Sequence, residues 1–205
     1  MNIAVCIVGR VTGYENNIQC IQKFFDHLKT LGNLYLFFSL NTKKDEYHMR
    51  FEEKMNELNK SEHNYYNYEE FVIPDKINNC HHMYKMCSMF YNQHKCMQMI
   101  IESNIPFDIV FKWRSEINYD NFPIENVIND NTIYIPSDRD YGGINDQIAY
   151  GNLESMKKYS ETYNNLELLT KEKRVRAHPE TLLLHNIREL NLIIIRFPLN
   201  YYLHR

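Results

Sequence analysis

The run Ile3-Ala-Val-Cys-Ile-Val8 decides the fold class, because it is continuously apolar, rich in β-branched residues, and stops at Gly9. Strands of a parallel sheet are buried on both faces and therefore lack the alternating polar positions of a half-exposed strand. This run predicts a buried strand that ends in a turn.

The segments that follow complete a β-α-β unit. Residues 15–31 place apolar side chains at helical spacing and end at Gly32, a common signal for a helix C-terminus. Leu34–Phe38 is a second apolar run and predicts another buried strand. Strand, helix and strand with short connections indicate a right-handed crossover and parallel pairing. We therefore expect one α/β/α sandwich with a mostly parallel central sheet.

The remaining segments fit a single domain over residues 1–205, since no internal repeat or low-complexity linker divides the chain. Strands 3–8, 34–38 and 108–113 are expected to be neighbours. Further strands are predicted at 71–73, 132–135 and 192–197, helices at 45–58, 79–103, 145–159 and 178–190, and a loop at 60–70.

Composition excludes several classes of protein. The chain has 23 Lys and Arg against 26 Asp and Glu, a net charge of −3, so it lacks the positive field of a typical nucleic-acid binder. No apolar stretch approaches the roughly 18 residues of a membrane span. The five cysteines include no CxxC pair and suit a reducing compartment. We therefore expect a cytoplasmic protein. The abundance of Asn, Ile, Lys and Tyr indicates an AT-rich genome, and if that genome is viral the protein is expected in the host cytoplasm.

The first polar cluster with chemical potential is Arg114-Ser-Glu116, directly after the apolar strand at 108–113. Open α/β sheets bind ligands at the carboxyl ends of their strands. Glu116 can offer a hard oxygen ligand to Mn²⁺ or Mg²⁺, and Lys112 and Arg114 can offer cationic donors to a diphosphate. A solvated salt bridge at a strand end is the structural alternative.

The second cluster is the Gly-rich stretch around residues 137–151. Gly142 and Gly143 permit a tight loop with close backbone approach to a ligand, and Asn145 is a good N-cap for a following helix. Asp146 and Gln147 would then lie at the mouth of a pocket, where carboxylate and amide groups bind the hydroxyls of a sugar. The alternative is a plain turn followed by a capped helix.

Six short blocks of the sequence, at residues 3–10, 88–91, 107–116, 143–151, 178–182 and 202–205, carry a family resemblance. In their order and spacing they resemble a family of small GT-A-fold glycosyltransferase-like proteins of large DNA viruses and polysaccharide gene clusters. The resemblance covers most of the chain. It implies a nucleotide-diphospho-sugar transferase fold and transfer of a sugar, with a UDP-sugar as the expected donor and a glycan or protein as acceptor.

The resemblance also implies roles for individual residues. Glu116 falls on the acidic position after the internal strand and would bind Mn²⁺ or Mg²⁺ in place of the usual Asp-x-Asp, although Arg114 occupies the first acidic slot. Asp146 is the leading candidate for the base of an inverting transfer, whereas a retaining enzyme would use it for positioning. Residues expected to border the donor or acceptor are Gly9, Arg10, Lys112, Arg114, Gly143, Asn145 and Arg205.

Three other functions stay open. A nucleotidylyltransferase would share the fold class, but it needs a longer Gly-rich loop with a following lysine than residues 9–13 provide. A catalytically silent sugar-nucleotide binder is compatible with the altered acidic motif. A protein-interaction module is suggested only by the 16 tyrosines.

Overall fold

A computed structural model describes residues 1–8, 11, 13–40, 43–60, 63–72, 81–119, 122–124 and 128–203. The strands are β1 (Asn2–Val8), β2 (Asn33–Leu40), β3 (Asn64–Tyr68), β4 (Ile109–Trp113), β5 (Ile117–Tyr119), β6 (Thr132–Pro136), β7 (Ala149–Gly151), β8 (Ile193–Phe197) and β9 (Tyr201–Leu203). The α-helices are α1 (Ile18–Leu31), α2 (Glu46–Leu58), α3 (His81–Glu102), α4 (Leu153–Ser160) and α5 (Pro179–Glu189), with a 3₁₀ turn at Tyr14–Asn17 and a π-helical turn at Leu168–Glu172.

The central sheet has seven strands in the order β3-β2-β1-β4-β7-β6-β8. β1 pairs in parallel with both β2 and β4, which confirms the predicted neighbours. β2 with β3 and β6 with β8 are also parallel, and only β7 runs antiparallel to its neighbours β4 and β6. The sheet is therefore mostly parallel, and its antiparallel strand β7 lies between β4 and β6.

Two hydrophobic clusters cover the two faces of this sheet. Because successive side chains of a strand point to opposite faces, Ile7 and Trp113 face α1 and α2, whereas Cys6 and Val110 face α3, α4 and α5. Trp113 stacks on Phe24 of α1 with ring centroids 4.1 Å apart. This arrangement confirms the predicted α/β/α sandwich. Among the helices of the described residues, none combines the length and apolar character that crossing a membrane requires.

Strand β3 lies inside the segment predicted as a loop, so that prediction was wrong. Tyr65 and Tyr66 stack on Phe37 and Phe38 of β2, each pair with ring centroids 4.6 Å apart. Cross-strand aromatic pairs stabilise an edge strand whose sequence is otherwise polar. The strand predicted at 71–73 is not formed at residues 71 and 72, and residue 73 lies outside the described residues.

The helix predicted to begin at Asn145 begins instead at Leu153. Asn152 caps it by accepting a hydrogen bond from the Ser155 backbone N–H at 2.8 Å. The preceding residues form β7, in which Tyr150 stacks between Phe111 and Tyr134 at 5.1 and 4.7 Å. Residues 149–151 therefore form a strand because they pair with β4 and β6, although the spacing of their apolar residues predicted a helix.

Candidate active site

The topology brings the candidate segments to one edge of the sheet. β1, β2, β4 and β6 all end at this edge, and β7 begins there because it is antiparallel. The turn at 114–116 and the loops at 137–148 therefore converge. The sequence-predicted residues that lie at this edge are Lys112, Arg114, Glu116, Gly143, Asn145 and Asp146. Gly9, Arg10 and Arg205 lie outside the described residues.

Lys112 is a buried lysine in the centre of the sheet. It pairs with Cys6 in β1 and Ala149 in β7, and its Nζ donates a hydrogen bond to the Asp146 carbonyl. Burial lowers the pKa of Lys112 to about 8, and the charge of Asp146 acts in the opposite direction. Lys112 therefore anchors the 145–148 loop to β4 through the Asp146 carbonyl.

Arg114 and Glu116 form an ion pair across a tight turn. Arg114 Nε and Nη2 donate to the same oxygen, Oε2 of Glu116, at 2.9 and 2.6 Å, and the Ile117 N–H bonds the Arg114 carbonyl at 3.1 Å. Both side chains are largely buried. The residue in the first acidic slot thus neutralises the predicted metal ligand.

This pairing fits a divalent metal poorly. Mn²⁺ or Mg²⁺ bound to Glu116 would have to displace the Arg114 guanidinium from the carboxylate. In addition, the described residues contain no group of three or more His, Cys, Asp or Glu side chains able to hold a metal ion. Metal binding by Glu116 stays a prediction from the sequence.

Asn145 is fully buried, and its side chain organises the loop. Its Nδ2 donates to the Asp138 carbonyl at 2.9 Å and to the Tyr201 hydroxyl at 2.6 Å. Its Oδ1 accepts from the backbone N–H groups of Gln147 and Ile148 at 2.9 and 3.4 Å. These four bonds use both amide hydrogens and both lone pairs of the oxygen. Asn145 caps a loop and not the helix that the sequence predicts, so its geometry suits a positioning role.

Asp146 is only 6% exposed, in a loop between β6 and β7. This differs from the prediction of a carboxylate in an exposed first helical turn at a pocket mouth, because the helix begins seven residues later, at Leu153. The Asp146 charge acts on the pKa values of Lys112 and Glu180. Asp146 is therefore part of a buried electrostatic cluster.

The Gly142-Gly143 turn packs against the N-terminus of α5. A Cβ on Gly143 would lie 2.1 Å from the carbonyl carbon and oxygen of Glu180, and the Ile144 N–H bonds that oxygen at 3.0 Å. The Thr181 hydroxyl donates to the Gly142 carbonyl at 3.3 Å. Close backbone approach does require glycine here, as predicted, but the approaching group is the protein's own helix.

Glu180 is an acidic residue of this cluster that the sequence offered only as one of three carboxylates to test if Asp146 is not the base. It lies in the first turn of α5, after Pro179, and is 7% exposed. Burial, followed by the charge of Asp146, raises the pKa of Glu180 to about 7. His178 Nδ1 lies 2.9 Å from Glu180 Oε2 without the alignment of a hydrogen bond. The sequence signal was the His-Pro-Glu-Thr start of a helix inside one of the resemblance blocks.

The C-terminal strand β9 is held beside the same cluster. It pairs antiparallel with β5, directly after Glu116. The Arg139 guanidinium lies 4.5 Å from the centroid of the Tyr201 ring, and its Nη2 donates to the Tyr201 carbonyl at 2.6 Å. Together with the bond from Asn145, these contacts join β9 to the 138–148 loop.

Comparison with known proteins gives a likeness of fold. No family model and no curated protein matches the sequence. The apo-form glycosyltransferase GlyE of Streptococcus pneumoniae TIGR4 has a TM-score of 0.51 and 11% identity over 94% of this chain and 44% of that chain. The galactosyltransferase LgtC, in complex with donor and acceptor sugar analogs, has a TM-score of 0.52 and 9% identity over 96% of this chain and 73% of that chain.

A glycosyltransferase involved in glycosylation of the major capsid of PBCV-1 is also similar, with 11% identity, a TM-score of 0.47, and coverage of 96% of this chain and 81% of that chain. The chain spans less than half the length of GlyE. The identities to GlyE and LgtC are low, so these likenesses concern the fold, and membership of the viral and gene-cluster family stays a prediction. The chain has the α/β fold of GT-A-type glycosyltransferases.

Proposed function

We propose that the protein is a glycosyltransferase that moves a sugar from a nucleotide-diphosphate donor to a glycan or protein acceptor. The observation that supports this most is the convergence of Arg114, Asp146, Glu180 and the Gly142-Gly143 turn at the edge of the sheet where α/β proteins bind ligands. LgtC, which shares the fold, holds donor and acceptor sugar analogs, and the proposal extends that class of ligand to this chain.

The transfer itself forms one bond and breaks another. The acceptor hydroxyl oxygen bonds to the anomeric carbon, while the bond from that carbon to the diphosphate breaks and its electron pair leaves with the nucleoside diphosphate. Positive groups must stabilise the developing charge. Arg114 suits this role better than Lys112, because Lys112 is fully buried and bonded to the Asp146 carbonyl. Arg10 and Arg205 are proposed from the sequence resemblance alone.

The donor is proposed to be a UDP-sugar. Thermal-shift measurements with UDP-, GDP- and CMP-sugars, each with Mn²⁺ and with a chelator, test this, since a ligand at 100 times its Kd stabilises the folded state by about 2.7 kcal/mol. The expected result is a rise in melting temperature with UDP-sugars, followed by UDP release when acceptors are added. Calorimetry that detects no nucleotide-diphosphate binding below millimolar concentration would contradict the proposal.

A catalytically silent sugar-nucleotide binder is the second candidate. The Arg114–Glu116 ion pair favours it, because this pair occupies the position at which the sequence resemblance implies two acidic residues. Such a protein would show the thermal shift with UDP-sugars but would release no UDP, with water or with any acceptor. Single-turnover assays at high enzyme concentration therefore separate the two functions.

A further inference from the structure

Glu180 is a buried carboxylate whose Oε2 lies 2.9 Å from His178 Nδ1 without the alignment of a hydrogen bond. Within the described residues, Oε2 is inaccessible to solvent and has no hydrogen-bond partner, and the same holds for the nearby His178 Nδ1. A buried carboxylate oxygen without a hydrogen bond is costly, and folded proteins rarely keep one without a role. The position therefore calls for a functional explanation.

Asp146 already has a role in the same cluster. Lys112 is fully buried, and a buried ammonium group needs an opposite charge close by. The Asp146 charge supports the charged form of Lys112, and the Asp146 carbonyl accepts the bond from Lys112 Nζ. The Asp146 charge therefore acts on Lys112, whereas among the described residues only His178 lies within ion-pair distance of Glu180.

The position of Glu180 in the site is rigidly set. Gly143 lies against the Glu180 carbonyl with no room for a Cβ, and the Ile144 N–H bonds that carbonyl. The Gly142-Gly143 turn leads directly into the loop that carries Asp146. The first turn of α5 and the 142–148 loop therefore form one unit at the carboxyl edge of the sheet.

We infer that Glu180 is the general base of the proposed transfer and that His178 passes its proton to solvent. The inference rests on the proposed function. As the acceptor oxygen bonds to the anomeric carbon, its proton moves to the Glu180 carboxylate, and the electron pair of the broken bond leaves with the nucleoside diphosphate. In the proposed relay, His178 carries its proton on Nε2, and its Nδ1, 2.9 Å from Oε2, then takes the proton from Glu180. The imidazole, whose side chain is about one third exposed, releases the Nε2 proton to water.

The electrostatic surroundings suit a base that works near neutral pH. The groups that act on Glu180 are Asp146 from the loop, Lys112 and Arg114 from β4 and its turn, and His178 from its own helix. Burial and Asp146 raise its pKa to about 7, while its own backbone N–H and the two cations act in the opposite direction. A base is most effective when its pKa lies near the working pH.

The test compares Glu180→Gln with Asp146→Asn, with Glu154→Gln as the matched control. Glu154 also lies in the first turn of a helix but is exposed. The measurement is kcat/KM for UDP release from pH 5 to 9, with the sugar nucleotide that gives the largest thermal shift. For the unaltered protein and for Glu154→Gln, we expect kcat/KM to fall below a pH of about 7 as Glu180 is protonated.

Glu180→Gln should reduce kcat/KM by about 10²–10⁴-fold, and its kcat/KM should no longer fall at acidic pH. The thermal shift of this variant with the donor should persist. In Asp146→Asn, kcat/KM should still fall at acidic pH, but at a lower pH than in the unaltered protein. The reason is that the negative charge of Asp146, which raises the pKa of Glu180, is removed. The inference is overturned if Asp146→Asn abolishes the fall while Glu180→Gln retains it. It is also overturned if Glu180→Gln loses rate with an unchanged pH profile, since that outcome indicates a structural role.

A second measurement does not depend on activity. Because the folded-state pKa of Glu180 lies above its unfolded value of 4.5, its contribution to stability is complete below pH 4.5 and is lost as pH rises through 7. The melting temperature of Glu180→Gln minus that of the unaltered protein should therefore increase from pH 5 to pH 8, and Glu154→Gln should show no such trend. A flat difference for Glu180→Gln overturns the inference. The trend without any sugar-nucleotide binding instead contradicts the proposed function.

Discussion

Arg114 holds Glu116 in a largely buried ion pair at the end of β4, and this pairing determines what the carboxylate can bind. The sequence presented Glu116 as a metal ligand and Arg114 as a separate cationic donor. In the folded protein the two charges neutralise each other. In the proposed function, a donor diphosphate binds Arg114 while Glu116 holds the guanidinium in place, because these two bonds occupy only two of its five N–H donors.

The first prediction concerns Glu116→Gln. We expect it to weaken binding of a UDP-sugar to the same extent in Mn²⁺ and in chelator, because the change removes the anchor of Arg114. Glu57→Gln, in the exposed pair with Lys54, is the control and should leave binding unchanged. Isothermal titration calorimetry measures both. A loss seen only in Mn²⁺ would instead establish Glu116 as a metal ligand.

The second prediction concerns Asn145→Ala. This change removes four hydrogen bonds and leaves the buried N–H groups of Gln147 and Ile148 without their acceptor. An unsatisfied buried donor costs about 1–3 kcal/mol, so urea denaturation should show a loss of at least about 2 kcal/mol. Asn164→Ala, which removes only an exposed bond to Glu161, should change the stability by less than about 0.5 kcal/mol. Equal losses for both variants would contradict this account of the loop.

At the scale of secondary-structure elements, the join between the Gly142-Gly143 turn and α5 positions the site. Gly143→Ala would place a Cβ 2.1 Å from the Glu180 backbone, which cannot move aside without shifting the first turn of α5. Gly142→Ala meets no atom within 4 Å and is strained only by its φ of +87°. The strain at Gly142 amounts to about 1–2 kcal/mol.

The third prediction follows from this difference between neighbouring glycines. Chemical denaturation should show a larger loss of unfolding free energy for Gly143→Ala than for Gly142→Ala. Gly143→Ala should also reduce the rate of sugar transfer, since the Glu180 carboxylate moves with its helix. A smaller loss of unfolding free energy for Gly143→Ala than for Gly142→Ala would mean that the turn does not pack tightly against α5.

At the scale of the whole molecule, the seven-stranded sheet draws its strands from both the first and the last part of the described residues. Its strands come from residues 2–8 at the start to residues 193–197 near the end, and hydrophobic clusters cover both faces. The single-domain organisation predicted from the sequence implies cooperative unfolding. Trp113, the one tryptophan of the chain, is fully buried at the centre of the sheet and reports on its packing.

The fourth prediction is a single unfolding transition. Guanidinium titrations followed by Trp113 fluorescence and by far-UV circular dichroism should give coincident curves, because the sheet cannot be divided without exposing both clusters. Separate midpoints, with one part of the chain unfolding first, would show two independently stable units.

The cytoplasmic location and the lack of a nucleic-acid partner stay predictions from the sequence.

The sequence by itself determined the parallel centre of the fold and the edge at which the candidate site was predicted. The apolar runs of β1, β2 and β4 are local signals, since a strand buried on both faces needs apolar residues at every position. The polar residues that follow β4 could likewise be placed at the carboxyl edge. Glu116, Arg114 and Asp146 were named for this reason, although their contacts were not predictable.

Only the tertiary structure decided which elements fill the rest of the sheet and that the Glu180 carboxylate is buried under the influence of Asp146. β3 and β7 form because Tyr65, Tyr66 and Tyr150 stack on aromatic rings of neighbouring strands. Such pairing depends on residues that are distant in sequence. The raised pKa of Glu180 likewise comes from burial and from Asp146, 34 residues earlier in the chain. Burial and charge proximity are properties of the packed molecule, so no local pattern in the sequence could reveal them.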